Sequence, residues 1–301
     1  MKLKDQVAII TGGARGNGFA IAKALATEGC NVVLADICAD IPTTPYKLAT
    51  KADLDAAVKE IGGMGVKAVG VVCDVRSDVA VKAMVEGVLK TFGKIDIAVA
   101  NAGITSLVPV ADMDEATWDD TVDTHLKGTF LLCHHVVPHM VKAHSGKVIA
   151  ISSVGGQRGF GMGSHYCAAK HGILGFVKSL AMEVADHNVN VNAVCPGTVW
   201  TKMMSGLAEH FGMEQEEAKQ QFCEGHLFKD REITPEDIAE AALWLCLPQS
   251  KCVTGNLITV DSGWTAAAGL ERESSTKTRG SRPGVSGAEP PISITAKPAA
   301  A

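Results

Sequence analysis

The chain has 301 residues, of which 47% are hydrophobic and 20% are charged, and its formal net charge is -5. This composition provides enough apolar side chains for a sizeable core and argues against wholesale disorder. The sequence carries no basic stripe of the kind that binds nucleic acid, and it lacks the apolar run of about 18 to 20 residues that a membrane-spanning helix needs.

The N-terminus reads MKLKDQVAIITGG, in which Thr-Gly-Gly breaks a short apolar run. A signal peptide needs a longer apolar core and a cleavage site, so we interpret this segment as the first strand of a cytoplasmic protein. The nine cysteines form no C-x-x-C pair, which is typical of buried free thiols in a reducing compartment. His135 and His139 have a metal-compatible spacing without an acidic third ligand, so we predict no metal site.

Short apolar or β-branched runs predict seven strands. They lie at residues 7–10, 31–36, 68–75, 95–101, 146–153, 189–197 and 256–263. Helical periodicity lies between them, most clearly at 18–29, 77–93 and 170–187. Strands that alternate with helices favour right-handed crossovers and a parallel sheet covered on both faces. We therefore predict an α/β fold, a single doubly wound Rossmann domain over residues 1–265.

Three segments interrupt this alternation. Residues 37–51 form a long insertion with two prolines after the second strand, where a few residues would suffice. Residues 198–232 separate the last two strands, and we expect them to fold over a substrate pocket as a lid. The larger apolar residues of this lid either line an apolar cavity or anchor the helices of the lid. They are Trp200, Met203, Met204, Leu207, Phe211 and Phe222. Residues 266–301 are rich in Ala, Gly, Ser, Thr and Pro, which predicts a disordered tail.

A glycine-rich turn follows the first strand, where residues 11–18 read TGGARGNG. Glycines allow the backbone to turn tightly and to approach a pyrophosphate, and the helix that begins near Gly18 directs free N–H groups at the anion. The position between a strand and a helix supports this interpretation. The residues that we expect to contact a nucleotide here are Gly12, Arg15, Gly16, Asn17 and Gly18.

Polar residues also end the next three strands. Asp36 closes the second strand, where an acid binds ribose hydroxyls and repels a 2′-phosphate, so we predict that Asp36 favours NAD over NADP and that the adjacent Ile37 also contacts the cofactor. Arg15 is a contrary signal, because it is able to meet a phosphate. Ligands of an open α/β sheet bind beyond the carboxyl ends of its strands, so the same site is expected to include Asp74, Val75, Asn101, Ala102 and Gly103.

Tyr166 and Lys170 stand four residues apart in SHYCAAKHG, and Ser153 ends the fifth predicted strand. Residues at i and i+4 share a face of a helix. A phenol has an ordinary pKa of about 10, and a neighbouring ammonium together with a cationic nicotinamide favours the phenolate. We therefore predict that Tyr166 is a general base and acid, that Ser153 binds the substrate oxygen and that Lys170 holds the ribose.

Taken together, these motifs resemble the short-chain dehydrogenase/reductase family over about residues 5–264. The matching features are the glycine turn, Asp36, Asp74-Val75, Asn-Ala-Gly at 101–103, Ser153, YCAAK at 166–170 and PGTVWT at 196–201. The resemblance implies the same roles for Ser153, Tyr166 and Lys170, and a homodimer or homotetramer. It also implies that the nicotinamide and phosphates are lined by Pro196, Gly197, Val199 and Thr201.

One position departs from the family pattern. His125, in VDTHLKGTF, occupies the place where members usually carry Asn, which supports a water that links the lysine to solvent. A neutral imidazole has one donor and one acceptor, so His125 either substitutes in this proton relay or is a packed helix residue. The departure concerns the proton relay and leaves the hydride step unaffected.

The insertion resembles the extended loop of mycofactocin-associated dehydrogenases, a group that includes carveol dehydrogenases. The resemblance implies a tightly held NAD and transfer of electrons to a peptide-derived carrier. Three hypotheses therefore follow from the sequence. The first is an NAD-dependent dehydrogenase for a secondary, apolar or cyclic alcohol; the second is a carrier-coupled enzyme; the third is a non-catalytic nucleotide-sensing protein.

Overall fold

The structure is a computed structural model that describes residues 1–267. Seven strands form one parallel sheet in the order β3-β2-β1-β4-β5-β6-β7. The strands are β1 (Val7–Thr11), β2 (Asn31–Asp36), β3 (Ala68–Val72), β4 (Ile97–Ala100), β5 (Gly146–Ile151), β6 (Val189–Pro196) and β7 (Leu257–Val260). The predicted seven-stranded, doubly wound sheet is confirmed, whereas residues 268–301 of the predicted tail lie outside the described part of the chain.

Helices cover both faces of the sheet. They are α1 (Gly16–Thr27), α2 (Lys51–Gly62), α3 (Asp78–Phe92), α4 (Glu115–Val122), α5 (Gly128–Ala143), α6 (Ser164–Val184), α7 (Lys202–His210), α8 (Gln215–Phe222) and α9 (Pro235–Cys246). Helices α1, α2 and α9 share one apolar layer with the sheet, and α3, α5 and α6 share the other. A π-helical segment, Asp123–Lys127, joins α4 to α5.

The central strands are buried on both faces, which explains their continuous apolar sequences. Every residue of β1, β4 and β6 is buried. Strands β2 and β3 lie on one side of β1, and strands β4 to β7 lie on the other side. The order in which the chain adds strands to the sheet therefore reverses at the boundary between β1 and β4. Such a switch point opens a crevice at the carboxyl ends of the strands, and the predicted site residues follow these ends.

The insertion and the lid both pack onto the body of the protein. The insertion ends at Thr50, whose side chain forms a capping box with Asp53 at the start of α2, and it buries Ile41 and Tyr46. The lid contains α7 and α8, and a single bridge between Val199 and Ile233 joins its two ends. Of the six apolar lid residues named above, only Leu207 is fully buried, so it anchors α7.

The cysteines follow the expectation in part. All nine are free thiols; six are buried, Cys38 and Cys223 are half-buried, and Cys252 is exposed. Burial was therefore a wrong expectation for Cys252, because it lies in the turn that precedes β7. Across residues 1–267, none of the helices combines the length and the apolar character needed to cross a membrane.

Candidate active site

The glycine turn after β1 is held by Asn101 at the end of the neighbouring strand β4. The Asn101 side-chain amide donates to the carbonyl oxygens of Thr11 and Gly12 at 2.9 and 3.1 Å. Gly12 has a φ of +63°, and a Cβ at Gly18 would overlap the Gly12 carbonyl. The turn therefore needs both glycines. The Asn101 side chain therefore fixes the backbone that forms the cradle, and its contact with the cofactor stays a prediction.

One unpaired polar group and one carboxylate lie at this cradle. The Oδ1 atom of Asn17 is buried and has no hydrogen-bond partner within residues 1–267. Beside it, the Asp36 carboxylate accepts a hydrogen bond from the Ala14 N–H at 3.2 Å, and the Cys38 N–H lies 3.5 Å away. Burial raises the pKa of Asp36, and these N–H groups oppose that rise. Asn17 and Asp36 thus offer acceptors for hydroxyl groups at a glycine turn that leaves room for a pyrophosphate, and this combination fits a dinucleotide.

The remaining strand ends surround this turn. Asp74 follows β3 and forms a two-point ion pair with Arg76, at 3.0 Å from Nε and 2.8 Å from Nη2. Arg76 also binds Asp120 of α4. Val75 is buried against Gly128 at the start of α5. The Asp74 carboxylate at the end of β3 is therefore ion-paired with Arg76. Val75 packs against the start of α5.

Ser153 and Tyr166 meet where the crevice continues beyond β5. Ser153 follows β5, and its Oγ accepts a hydrogen bond from the Gly155 N–H at 3.0 Å. Tyr166 lies in the first turn of α6, with its ring against Gly155, and the Ser153 hydroxyl is near enough to lower the pKa of the Tyr166 phenol. The predicted pair is therefore brought together in the folded chain, with a hydroxyl and a phenol directed at one point.

Lys170 lies one turn further along α6 and is only 3% exposed. Its Nζ donates to the Ile151 carbonyl at 2.7 Å, while Ser152 Oγ donates to the Lys170 carbonyl at 3.0 Å. The Nζ atom lies 5.6 Å from the centre of the Tyr166 ring. Ile151 and Ser152, at the end of β5, thus hold the side chain and the backbone of Lys170 near the Tyr166 ring.

The pKa of Tyr166 moves in the direction opposite to the one expected from the sequence. Burial raises it to about 12, and the nearby Ser153 hydroxyl only partly opposes this rise. Burial also lowers the pKa of Lys170 to about 7, which weakens the positive charge that was expected to stabilise a phenolate. In the protein alone, desolvation outweighs the Tyr-Lys pairing, so Tyr166 is a protonated phenol at neutral pH.

His125 lies in the π-helical segment and is 2% exposed. Its Nε2 lies 2.6 Å from the Ile104 carbonyl and 3.2 Å from the Ile104 N–H. Its ring meets that of Tyr166 at an angle of 84°, with centroids 5.2 Å apart. Burial lowers the pKa of His125 well below its usual range. The residue is therefore a neutral, packed imidazole that contacts the predicted general base.

The segment after β6 connects the lid to the glycine turn. Thr201 is the residue nearest to Gly16 of that turn. Gly197 lies against the ring of His226, and the Thr198 N–H donates to Nε2 of His226 at 3.2 Å. Pro196 ends β6, and Val199 is buried in the bridge that joins the ends of the lid. Thr201 is thus placed beside the glycine turn, and the contacts of all four residues with the nicotinamide and phosphates stay predictions.

Three buried polar residues near Tyr166 were not predicted as site residues. Tyr46 of the insertion accepts a hydrogen bond from the Thr105 N–H at 2.9 Å. Ser106 Oγ lies 2.9 Å from Nε2 of His165, the residue that precedes Tyr166. Their partners are each 59 residues apart in the chain, so neither helical nor strand periodicity gives a signal for them. The adjacency of His165 to Tyr166 was the one available indication.

Comparisons with known proteins agree with this geometry. A family model described as enoyl-(acyl carrier protein) reductase matches residues 12–265. The (-)-trans-carveol dehydrogenase of Rhodococcus erythropolis is 34% identical over 273 residues, which cover 88% of this chain and 99% of that protein. A 3-oxoacyl-(acyl-carrier-protein) reductase of Chlamydia muridarum is 37% identical over 261 residues, covering 87% and 98% respectively.

Among solved structures, carveol dehydrogenase from Mycobacterium avium in complex with NAD superposes with a TM-score of 0.84 at 31% sequence identity. The match covers 88% of this chain and 99% of that one. The likeness therefore extends over nearly the whole described part of the chain, including the insertion and the lid.

The contact between His125 and Gly103 gives a test of the site's packing. A Cβ at Gly103 would overlap Cε1 of His125, so Gly103→Ala has to displace the imidazole from Ile104. We expect this variant to lose about 1–3 kcal/mol of unfolding free energy, measured by denaturant titration. Gly87→Ala is the matched control, because its Cβ meets open space on α3.

The smaller side chain in His125→Asn should offset part of that loss when it is combined with Gly103→Ala. Non-additive free energies would locate the clash at His125. A double variant whose loss equals the sum of the two single losses would contradict this account of the packing.

Proposed function

Since the chain belongs to the short-chain dehydrogenase/reductase family, we propose that it is an NAD-dependent oxidoreductase that interconverts a secondary alcohol and its ketone. The observation that carries this proposal is the meeting of Ser153, Tyr166 and Lys170 in the crevice that also contains the glycine turn. A proton-transferring phenol beside a nucleotide cradle is what hydride transfer at a carbinol requires.

The residues around the cradle fit NAD. The turn at Gly12 and Gly16 would receive the pyrophosphate, and the unpaired Oδ1 of Asn17 would accept a hydrogen bond from a hydroxyl group of the nucleotide. Asp36 would bind the adenosine ribose, and its charge disfavours a 2′-phosphate. The M. avium carveol dehydrogenase, which superposes on this chain, was solved with NAD, and this supports the same cofactor here. When bound, NAD supplies the acceptor for the hydride.

The chain's own residues handle the proton. Ser153 would hydrogen-bond the substrate oxygen and orient it toward Tyr166. The Tyr166 Oη would take the hydroxyl proton during oxidation and return it during reduction. Its pKa of about 12 in the protein alone has to fall for this step, and a positive charge bound beside a phenol lowers its pKa. Lys170 would hold the ribose and maintain the position of Tyr166 on α6.

The substrate class is an apolar, cyclic or otherwise bulky secondary alcohol. The lid contributes partly exposed Trp200, Met203 and Met204, which suit an apolar body better than a sugar. The R. erythropolis relative is a carveol dehydrogenase, which supports this class. The C. muridarum relative is a 3-oxoacyl-(acyl-carrier-protein) reductase, so a 3-oxoacyl thioester belongs in the same substrate panel as a competing class.

A carrier-coupled enzyme is the second candidate, and the insertion favours it. The Arg15 guanidinium donates to the Lys47 carbonyl at 2.7 Å, and Tyr46 is buried at Thr105. The insertion is thus attached on both sides of the nucleotide crevice. A segment attached in this way would slow the exchange of NAD. An NAD that stays bound has to pass its electrons on in place, which is the role of a peptide-derived carrier. A non-catalytic nucleotide sensor is disfavoured, because Ser153, Tyr166 and Lys170 are all present.

The role of Tyr166 is tested by Tyr166→Phe, which removes only the proton-transferring oxygen. We expect turnover of secondary alcohols to fall by about 10²–10⁴-fold, whereas NAD affinity stays close to that of the wild type. Nicotinamide absorbance measures the first quantity and fluorescence titration the second. Residual turnover above about a tenth of the wild-type rate would exclude Tyr166 as the general base.

The role of Asp36 is tested by Asp36→Asn, which keeps an oxygen for the Ala14 N–H but removes the charge. The ratio of kcat/KM with NAD to kcat/KM with NADP should fall by about tenfold or more, because a like-charge repulsion is lost. Asp40→Asn is the control, since Asp40 is an exposed acid of the same segment that pairs with Lys47. A wild-type enzyme that prefers NADP would contradict the argument from charge.

The insertion is tested by replacing residues 39–49 with a short Gly-Ser turn. We expect the wild-type protein to purify with NAD, and the variant to release NADH about tenfold faster, because dissociation no longer waits for a loop to open. Stopped-flow displacement of NADH fluorescence measures both rates. Lys47→Ala is the control, because it keeps the carbonyl that Arg15 binds. Equal release rates in the wild type and the turn variant would exclude the cover.

A further inference from the structure

Three consecutive residues after β4 are each held by a side chain from a different part of the chain. His125 lies 2.6 Å from the Ile104 carbonyl, Tyr46 accepts from the Thr105 N–H at 2.9 Å, and His165 lies 2.9 Å from Ser106 Oγ. We name residues 104–106 with these three side chains the 104–106 clamp. All six residues are at most 9% exposed, so the clamp is a buried polar connection.

The His125 ring contacts both polar groups of the Ile104 backbone. Its Nε2 lies 2.6 Å from the Ile104 oxygen and 3.2 Å from the Ile104 nitrogen. The Nδ1 atoms of His125 and His165 are both buried without a hydrogen-bond partner in the described part of the chain. Each imidazole therefore bonds through Nε2, and both bonds go to the 104–106 segment.

One end of the clamp determines where Tyr166 lies. The His125 ring meets the Tyr166 ring edge to face. His165 precedes Tyr166 on α6 and is fully buried. A shift of residues 104–106 would therefore move the His125 ring, which packs on Tyr166, and His165, which precedes Tyr166 in the chain.

The other end of the clamp is the insertion. Tyr46 contacts Gly206 of α7 and reaches Thr105 with its phenolic oxygen, and the next residue, Lys47, is bonded to Arg15 of the glycine turn. Thr43 is attached elsewhere, because its hydroxyl donates to Asp120 on α4 at 2.7 Å. Among these attachments, the Tyr46–Thr105 hydrogen bond reaches the clamp, whereas those of Lys47 and Thr43 bypass it.

From these contacts we propose that the 104–106 clamp is a positioning unit that makes the placement of Tyr166 depend on the seating of the insertion. Tyr46, His125 and His165 are positioning residues, and they act through residues 104–106. This inference rests on the proposed function for its kinetic consequence. Proton transfer is then efficient only while the insertion is seated, so that cofactor cover and catalysis depend on one structural state.

The chain itself supplies a probe, because Tyr46 and Tyr166 are its two tyrosines. Incorporation of 3-fluorotyrosine labels Tyr46 of the clamp and the neighbouring Tyr166 with ¹⁹F, and Tyr46→Phe and Tyr166→Phe together assign the two resonances. We expect Tyr46→Phe to shift or broaden the Tyr166 resonance, and Thr43→Val to leave it unchanged. Ser106→Ala is the second variant, and it should move the Tyr46 resonance from the opposite end.

Kinetics test the consequence. At saturating NAD and alcohol, Tyr46→Phe should lower kcat by about tenfold, since small misplacements of a catalytic group are costly, and should change the pH profile of kcat. Thr43→Val should keep the wild-type kcat and pH profile, although it also loosens the insertion. This difference separates positioning of Tyr166 from simple covering of the cofactor.

An unchanged Tyr166 resonance in folded Tyr46→Phe, or an unchanged Tyr46 resonance in folded Ser106→Ala, would overturn the proposal. The proposal also fails if Tyr46→Phe speeds NADH release while kcat and its pH profile stay as in the wild type. If the wild-type protein turns over no alcohol, the proposed function fails, and the ¹⁹F comparison still decides whether the clamp exists.

Discussion

The hydrogen bonds from the Asn101 amide to the carbonyl oxygens of Thr11 and Gly12 are the constraint on which the site depends. They join the ends of β1 and β4, the two strands between which the sheet opens a crevice. A buried carbonyl without a partner costs about 1–3 kcal/mol, so the turn after β1 keeps its shape only while Asn101 satisfies it. The shape of the glycine cradle therefore depends on both β1 and β4.

The same strand end continues into the proton-transfer region. Gly103 follows Asn101 by two residues and lies against the ring of His125, and residues 104–106 are then hydrogen-bonded to three distant side chains. The nucleotide cradle and the surroundings of Tyr166 are thus connected through one short stretch of backbone. A displacement of the backbone at the nucleotide cradle would therefore also displace the residues around Tyr166, and the reverse.

Burial controls the charge of the reactive groups. It raises the pKa of Tyr166 to about 12 and lowers the pKa of Lys170 to about 7, so the protein alone disfavours both charged forms. A site of this kind gains basicity when a cation enters the crevice, because the phenolate is then stabilised by charge that the protein does not itself provide. The desolvation that holds Tyr166 neutral also strengthens each electrostatic contact made there.

The sequence by itself determined the seven strands, the helices between them, the glycine turn and the Tyr-Lys pair of α6. These features depend on local spacing and on side-chain periodicity, which neighbouring residues encode. Only the tertiary structure decided that Asn101 binds the turn, that Tyr46 reaches Thr105 and that Ser106 meets His165. It also decided the direction of the Tyr166 pKa shift. Those outcomes depend on contacts between residues far apart in the chain and on exclusion of water, and both arise only when the elements pack.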